Sequence, residues 1–238
     1  MSREISATGN SLVPLTEGDA PERPPTDGER WVAAGGPSRY SLRMATPHVF
    51  AVIGSLHRKS VTRVVLQHAA EALRAEACTV DVLDFEQTPL PSFNPDTAWT
   101  QPGFAELKAR VERADVLLLG TPDYHGSVSS TLKNFLDHFW KEFSGKLFAT
   151  VVASHEKGLT VHDQLRTIAR QCNAWTLPYG VSLAEKEDVR DGAVASDALR
   201  QRLAMLTRDV RVYGELLATQ RRNDLAGTEP GFLARLRK

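Results

Sequence analysis

The sequence has few cysteines, with only Cys78 and Cys172 among its 238 residues. Two cysteines without a C-x-x-C spacing cannot build a disulfide framework. We therefore expect both side chains to be reduced, buried thiols of a cytoplasmic protein.

Net charge and long apolar runs are also lacking. Lys+Arg and Asp+Glu both number 29, so the formal net charge is zero and gives no reason to expect a nucleic acid or an anionic membrane as partner. Apolar runs such as Val116–Leu119 have the length of a strand and fall far short of the roughly 20 residues of a membrane-spanning helix. Residues 1–20 show no apolar core of a signal peptide. We expect a cytoplasmic protein that acts on small molecules and holds any phosphate at a local site.

The composition divides the chain into three parts. Hydrophobic residues make up 42% of the sequence, which is enough for one core but not for two comfortable domains. Residues 1–46 are rich in proline and glycine and follow no period, which predicts a flexible N-terminal arm. Alternatively, the arm wraps a neighbouring subunit, with Trp31 and Tyr40 as anchors. Residues 47–222 form the single predicted domain, and residues 223–238 form a short basic C-terminal tail.

Five apolar segments alternate with five amphipathic ones from residue 49 onward, which predicts an α/β fold with a parallel sheet and helices on both faces. Ligands of such sheets bind beyond the carboxyl ends of the strands. The predicted strands are 49–54, 78–85, 115–122, 146–154 and 176–183. The predicted helices begin at Ser60, Phe104, Ser127 or Val128, Val161 and Ser196.

Polar loops follow the first, third and fourth predicted strands, at residues 54–60, 121–127 and 154–160; we name them the first, second and third loops. The first loop joins a buried strand to a helix N-terminus, where unpaired N–H groups and the helix dipole favour an anion. Its hydroxyls and positive charges predict a phosphate site, although neither G-x-G-x-x-G nor G-x-x-x-x-G-K-[ST] is present. A capped helix with exposed cations is the alternative. The hydroxyls belong to Ser55, Ser60 and Thr62, and the charges to His57, Arg58 and Lys59.

The second loop has features that suit a flat aromatic ligand. Pro122 stiffens the exit from the strand, Gly126 allows a close approach of the backbone, and Tyr124 offers an apolar face. Backbone groups at such a sharp turn can meet the imide edge of an isoalloxazine ring. The alternative is an ordinary surface turn before a helix.

The two motifs GSLxxxSxT (from Gly54) and TPDYHGSVSSTLKNFLDHF (from Thr121) together resemble the NAD(P)H-dependent FMN reductase family. That family includes quinone, azo-dye and chromate reductases and the arsenic-resistance flavoproteins. The resemblance covers roughly residues 48–185. It implies a flavodoxin-like three-layer fold, whose five-stranded parallel sheet has the order 2-1-3-4-5. It also implies bound FMN, with NADPH or NADH as co-substrate.

The resemblance further implies which residues hold the cofactor. This sequence has His57 where the family usually has arginine, Thr62 where it has asparagine, and His125 where it has asparagine. Because the chemistry belongs to the cofactor, no catalytic side chain is expected, and no metal ligand. The phosphate residues are Ser55, His57, Arg58, Ser60 and Thr62. The ring residues are Pro122, Asp123, Tyr124, His125, Gly126 and Ser127, with Ser154 and Glu156 of the third loop beside them.

The expected function is an FMN-dependent oxidoreductase that passes electrons from NAD(P)H to a small acceptor such as free flavin or a quinone. The alternative is a flavin-binding electron carrier or sensor, which the neutral charge disfavours because dedicated carriers of this fold are often acidic. An aromatic stripe either covers the sheet or joins a homodimer or homotetramer. The stripe comprises Phe135, Phe139, Trp140 and Phe143.

Overall fold

The structure is a computed structural model that describes residues 46–237. The expectations for the N-terminal arm, including Trp31 and Tyr40, lie outside the described residues. The strands are β1 (His48–Ile53), β2 (Thr79–Asp84), β3 (Val116–Tyr124), β4 (Ser127–Val128), β5 (Leu147–Ala153), β6 (Trp175–Thr176), β7 (Val181–Leu183), β8 (Val189–Arg190) and β9 (Ala193–Val194). The helices are α1 (Val61–Ala75), α2 (Phe104–Arg113), α3 (Ser130–Asp137), α4 (Leu159–Gln171), α5 (Glu185–Asp188) and α6 (Asp197–Ala226).

The central sheet has the order β2-β1-β3-β5, and both β6 and β7 pair with β5 as its last strand. All these pairings are parallel. The predicted order 2-1-3-4-5 is therefore confirmed, with the fifth strand in two pieces. The break lies where Pro178 cannot donate a ladder hydrogen bond and where a side chain on Gly180 would collide with the His162 ring. The short strand β4 forms a hairpin with β3, and β8 and β9 form a separate hairpin.

The side chains of each central strand alternate between two hydrophobic layers, as expected for a sheet covered on both faces. In β1, Val49, Ala51 and Ile53 pack in one layer with α1 and α6. Phe50 and Val52 pack in the other layer with α2, α3 and α4. The predicted three-layer flavodoxin-like arrangement is thus confirmed.

Helix α3 begins later than the sequence predicted. Its N-cap is Ser129, whose Oγ accepts from the N–H of Leu132 at 3.3 Å. The predicted start at Ser127 or Val128 was wrong because these residues pair with β3 as β4.

The aromatic stripe is divided between the core and the surface. Phe135, Phe139 and Phe143 are buried between α3 and the sheet, whereas Trp140 is 66% exposed. Three of its members therefore cover the sheet, and only Trp140 is available to another surface.

The C-terminal segment packs against the domain. Helix α6 extends beyond the predicted residue 222 to Ala226, and Leu233 behind it is buried. The Arg237 guanidinium donates to the carbonyl oxygens of Asp224 and Glu229. Cys78 and Cys172 are both free and buried. Within residues 46–237, no helix combines the length and hydrophobicity that a bilayer crossing requires.

Candidate functional site

The three polar loops lie side by side at the carboxyl edge of the sheet and border an open cleft of about 250 Å³. Eight of the thirteen predicted cofactor residues line it. Arg58, His125, Gly126, Ser127 and Glu156 do not. The eight are Ser55, His57, Ser60, Thr62, Pro122, Asp123, Tyr124 and Ser154. The cleft is also lined by Lys59, Val61, Ala153, His155 and Glu185.

The first loop ends in a capped helix N-terminus that faces the cleft. The Oγ atom of Ser60 accepts from the N–H of Arg63 at 3.3 Å, and the first turn of α1 contains no acidic residue. Ser55 and Ser60 are both buried, and the Ser55 Oγ accepts from the N–H of His57 at 3.3 Å. A helix N-terminus that has no acidic residue in its first turn and lies beside hydroxyl groups is a favourable place for an anion.

Close backbone packing joins the first loop to the second. The N–H of Gly54 donates to the carbonyl oxygen of Gly120 at 2.8 Å. Ser129 bridges the same region, because its Oγ donates to the Gly54 carbonyl oxygen at 2.6 Å and its N–H donates to the Thr121 hydroxyl at 3.0 Å. A Cβ on residue 54 would lie 2.7 Å from the Cβ of Leu132, so only glycine fits there.

The second loop is a tight hairpin between β3 and β4. His125 and Gly126 form its two-residue turn with φ values of 57° and 73°, as in a type I′ turn. The Oδ1 atom of Asp123 accepts from the Gly126 N–H at 2.8 Å and closes the turn. Tyr124 is left 55% exposed at the cleft.

Gln164 of α4 holds this hairpin from behind. Its Oε1 accepts from the Val128 N–H and from the Ser127 hydroxyl, both at 3.1 Å. Its Nε2 donates to the Gly126 carbonyl oxygen at 3.2 Å. The polar groups of Gly126 and Ser127 are therefore engaged with α4 and support the loop rather than line the cleft.

The third loop is tied to the second by a side-chain hydrogen bond. The Ser154 hydroxyl donates to Asp123 Oδ2 at 2.8 Å, and it accepts from the Glu156 N–H at 3.1 Å. The Glu156 side chain is exposed. The carboxylate that borders the cleft is instead Glu185, which follows β7. The rule that ligands bind beyond the carboxyl ends of parallel strands could have identified Glu185 from the sequence.

A buried histidine supports the third loop from beneath. His162 is 4% exposed, and its ring nitrogens lie 2.8 Å from the Thr150 hydroxyl and 3.2 Å from the Ser182 hydroxyl. Ser182 donates in turn to the carbonyl oxygen of Lys157. Because the Ser182 hydroxyl donates to Lys157, it must accept from His162, which assigns the tautomer with a proton on Nε2. Burial, helped by Arg166, lowers the pKa of His162 below its ordinary 6.5.

The ion pair of Arg63 with Asp84 is a site feature that the sequence reasoning missed. The Arg63 guanidinium lies behind the first loop and donates to Asp84, and this hydrogen bond raises the pKa of Arg63. Asp84 ends β2, which pairs with β1. The position of Asp84 at the end of a strand was the signal from which the sequence could have predicted a role in the site.

Comparison with known proteins shows which family this chain resembles. The model of a family described as NADPH-dependent FMN reductase matches residues 47–188. Curated FMN-dependent NADPH-azoreductases of Staphylococcus aureus, such as that of strain USA300, are 34% identical over 94 residues. That match covers 37% of this chain and 49% of the relative, so the chain spans about half the length of the curated relatives it matches.

Solved structures share the fold at low sequence identity. The apo form of an NADH:FMN oxidoreductase superposes with a TM-score of 0.60 at 19% identity, covering 71% of this chain and 90% of the other. A flavoenzyme NAD(P)H:(acceptor) oxidoreductase from Paracoccus denitrificans gives 0.57 at 20% identity, covering 73% and 98%.

The buried histidine leads to a prediction about pH. Below pH about 6.5, the unfolded chain binds a proton at residue 162 that the folded chain resists, so folding stability falls as the pH falls towards the folded pKa. His162→Gln removes this titration and should reduce the loss of stability between pH 7.5 and pH 5.5. Urea unfolding of the flavin-free protein at both values measures it.

His155→Gln is the control, because it makes the same substitution at a histidine that is exposed in the folded protein. An equal loss of stability on acidification in the wild type and in His162→Gln would contradict the role given to this histidine.

Proposed function

We infer the function of this chain from one premise: it belongs to the NADPH-dependent FMN reductase family, whose model matches more than half of its residues. FMN and a nicotinamide nucleotide are the cofactor and electron donor of that family. We propose that the protein is an NAD(P)H-dependent flavin oxidoreductase, which passes electrons through bound FMN to a small-molecule acceptor such as free flavin, a quinone or an azo compound.

The observation that carries this proposal is the convergence of two complementary surfaces in one cleft. A helix N-terminus with buried hydroxyls, at Ser55 and Ser60, borders the same cleft as the exposed ring of Tyr124. The first surface suits a phosphate, and the second suits a flat aromatic ring. FMN is a molecule with these two ends.

The phosphate end is assigned to the first loop. The hydroxyls of Ser55, Ser60 and Thr62 and the N–H groups at the start of α1 would bind the phosphate oxygens, with His57 and Lys59 as neighbouring charges. Arg58 is exposed and lies off the cleft, so its side chain adds charge at the rim only.

The ring end is assigned to the second loop. Pro122 and Tyr124 would pack on the ring, and Asp123 and Ser154 would fix the two loops that enclose it. Both carboxylate oxygens of Asp123 already accept hydrogen bonds, from the Gly126 N–H and from the Ser154 hydroxyl. Asp123 is therefore a support of the ring pocket rather than an acid or base.

When bound, FMN supplies the atoms that accept and release electrons. The chain's own residues would bind it in a cleft that stays open to solvent beside the exposed Tyr124. An open groove admits flat acceptors of different outlines. This openness favours turnover with diffusible small molecules.

Anaerobic mixing of the FMN-loaded protein with NADPH or NADH tests the proposal. We expect the visible absorbance of the oxidised flavin to bleach on a catalytic timescale, and to return when a quinone or an azo dye is added. Stopped-flow spectroscopy measures both steps. If the oxidised spectrum persists with both donors, the protein is a flavin-binding carrier or sensor instead.

Replacing Ser60 tests the position of the cofactor. Ser60→Ala should raise the dissociation constant for FMN by about tenfold, because a hydroxyl that contacts a charged group is lost. Ser196→Ala is the matched control, since Ser196 caps α6 in the same way with its Oγ accepting from Leu199. Both variants lose a helix cap, worth about 1 kcal/mol, but only one borders the cleft.

Tyr124→Ala should also weaken retention of FMN, whereas Tyr124→Phe should keep it because the aromatic face remains. Fluorescence titration gives all the constants. Unchanged FMN affinity in both Ser60→Ala and Tyr124→Ala would show that the cofactor lies elsewhere.

We also propose that the protein acts as a homodimer or homotetramer. Trp140 and Trp99 are 66% and 52% exposed and border a largely apolar groove with Phe104 and Phe139. Large exposed apolar surfaces of this kind favour association. Light scattering at micromolar concentration should report a dimer or a larger species, and Trp140→Glu should shift it towards the monomer.

Trp175→Glu is the control for this substitution, since Trp175 is 49% exposed and packs against Phe232 but does not line the groove. A wild-type protein that is monomeric at micromolar concentration would remove the assembly proposal.

A further inference from the structure

The Arg63–Asp84 ion pair lies directly behind the first loop and is nearly enclosed. The side chains are 11% and 7% exposed. The Arg63 Nε donates to Asp84 Oδ2 at 2.5 Å, and Nη2 donates to Oδ1 at 3.1 Å, so the contact is bidentate. Asp84 is itself fixed, because it ends β2 beside Ile53 of β1 and its Oδ1 accepts from the Glu86 N–H at 3.1 Å.

The remaining donors of Arg63 all go to carbonyl oxygens of the first loop. Nη1 donates to His57 at 2.8 Å and to Arg58 at 3.1 Å. Nη2 donates to Ser55 at 3.5 Å. A guanidinium has five N–H donors, and here each has an acceptor: two on a carboxylate and three on the loop backbone. Arg63 therefore fastens the loop to the end of the neighbouring strand.

These contacts fix the direction of the loop's peptide groups. In a trans peptide, the C=O and the following N–H point in opposite directions. Since the carbonyl groups of Ser55, His57 and Arg58 face Arg63, the N–H groups of residues 56, 58 and 59 face away from it. N–H groups that face one side of a loop favour an anion there, and Lys59 is the one of these three residues that lines the cleft.

We propose that the Arg63–Asp84 pair is a positioning device that sets the first loop for a terminal phosphate and thereby makes the site select FMN over riboflavin. The inference rests on the proposed function, since it takes the ligand of the cleft to be a flavin. The positive charge of Arg63 is neutralised by Asp84 at contact distance, so the pair acts through geometry rather than through net charge.

The chain contains a matched ion pair for comparison. Arg110 of α2 binds Asp81 of β2 through Nε at 2.9 Å and Nη2 at 2.8 Å, and it also donates to the Val82 carbonyl oxygen at 3.0 Å. This second pair has the same chemistry and anchors the same strand. It makes no hydrogen bond to the first loop.

The test measures dissociation constants of FMN and riboflavin, by quenching of flavin fluorescence, for the wild type, Arg63→Lys and Arg110→Lys. Lysine keeps the charge but cannot make the five-donor contact. In Arg63→Lys, we expect the affinity for FMN to fall about tenfold or more, and that for riboflavin to change by less than about threefold. Arg110→Lys should leave both constants within about twofold of the wild type.

The ratio of the two constants decides between the outcomes. If the wild type prefers FMN and Arg63→Lys keeps that preference, the positioning role is wrong while the proposed function stands. An equal loss of both ligands would also overturn it, because a merely structural role weakens the whole cleft. If the wild type binds neither flavin, the proposed function itself fails, and the inference fails with it.

Asp84→Asn provides a second variant in case Arg63→Lys does not fold, which circular dichroism will show. Asparagine has nearly the same shape but lacks the charge that holds Arg63. We expect a smaller loss of the FMN preference than in Arg63→Lys, again with riboflavin affinity retained. An unaltered FMN preference in folded Asp84→Asn would overturn the proposal.

Discussion

The site depends on the close approach of Gly54, which follows β1, to Gly120 in the middle of β3. A Cβ on residue 54 would lie 2.9 Å from the Gly120 carbonyl oxygen, and a Cβ on residue 120 would lie 2.5 Å from a methyl group of Leu66. Neither position can hold a side chain without moving α1 or α3 off the sheet. Because α1 and α3 both pack this closely against the sheet, the N-termini of the two helices lie together at its carboxyl edge. The cleft is a consequence of that packing.

Side-chain hydrogen bonds then convert three separate loops into one support. Asp123 joins the second loop to the third through Ser154, while Gln164 holds the second loop from α4. His162 holds the third loop through Ser182. Each of these polar groups has its partner within the protein, so the loops hold one another in place. Preorganised groups lose less entropy on binding, which strengthens the contacts they make.

The parallel sheet with helices on both faces and the convergence of the loops could be predicted from strand alternation and right-handed crossovers. The strand order came only from the resemblance to the family. The hairpin at His125 and Gly126 could not be predicted. Ser127 and Ser129 are equally good N-cap residues in the sequence, and the choice between them is made by Gln164 of α4, which pairs with the backbone of Val128. Such long-range contacts override local preference. Likewise, Arg63 has the pattern of a helix-surface cation until the fold brings β2 beside β1.

The first loop offers an anion two kinds of contact: exposed cationic side chains and backbone N–H groups that Arg63 holds in place. His57, Arg58 and Lys59 are exposed, and salt screens exposed charges over about 8 Å under physiological conditions. Such charges steer an anion towards the loop but hold it weakly. Backbone N–H groups fixed from behind by Arg63 would instead contact an anion directly, through short and directional hydrogen bonds. A loop that holds its ligand through its backbone tolerates changes among its exposed cations.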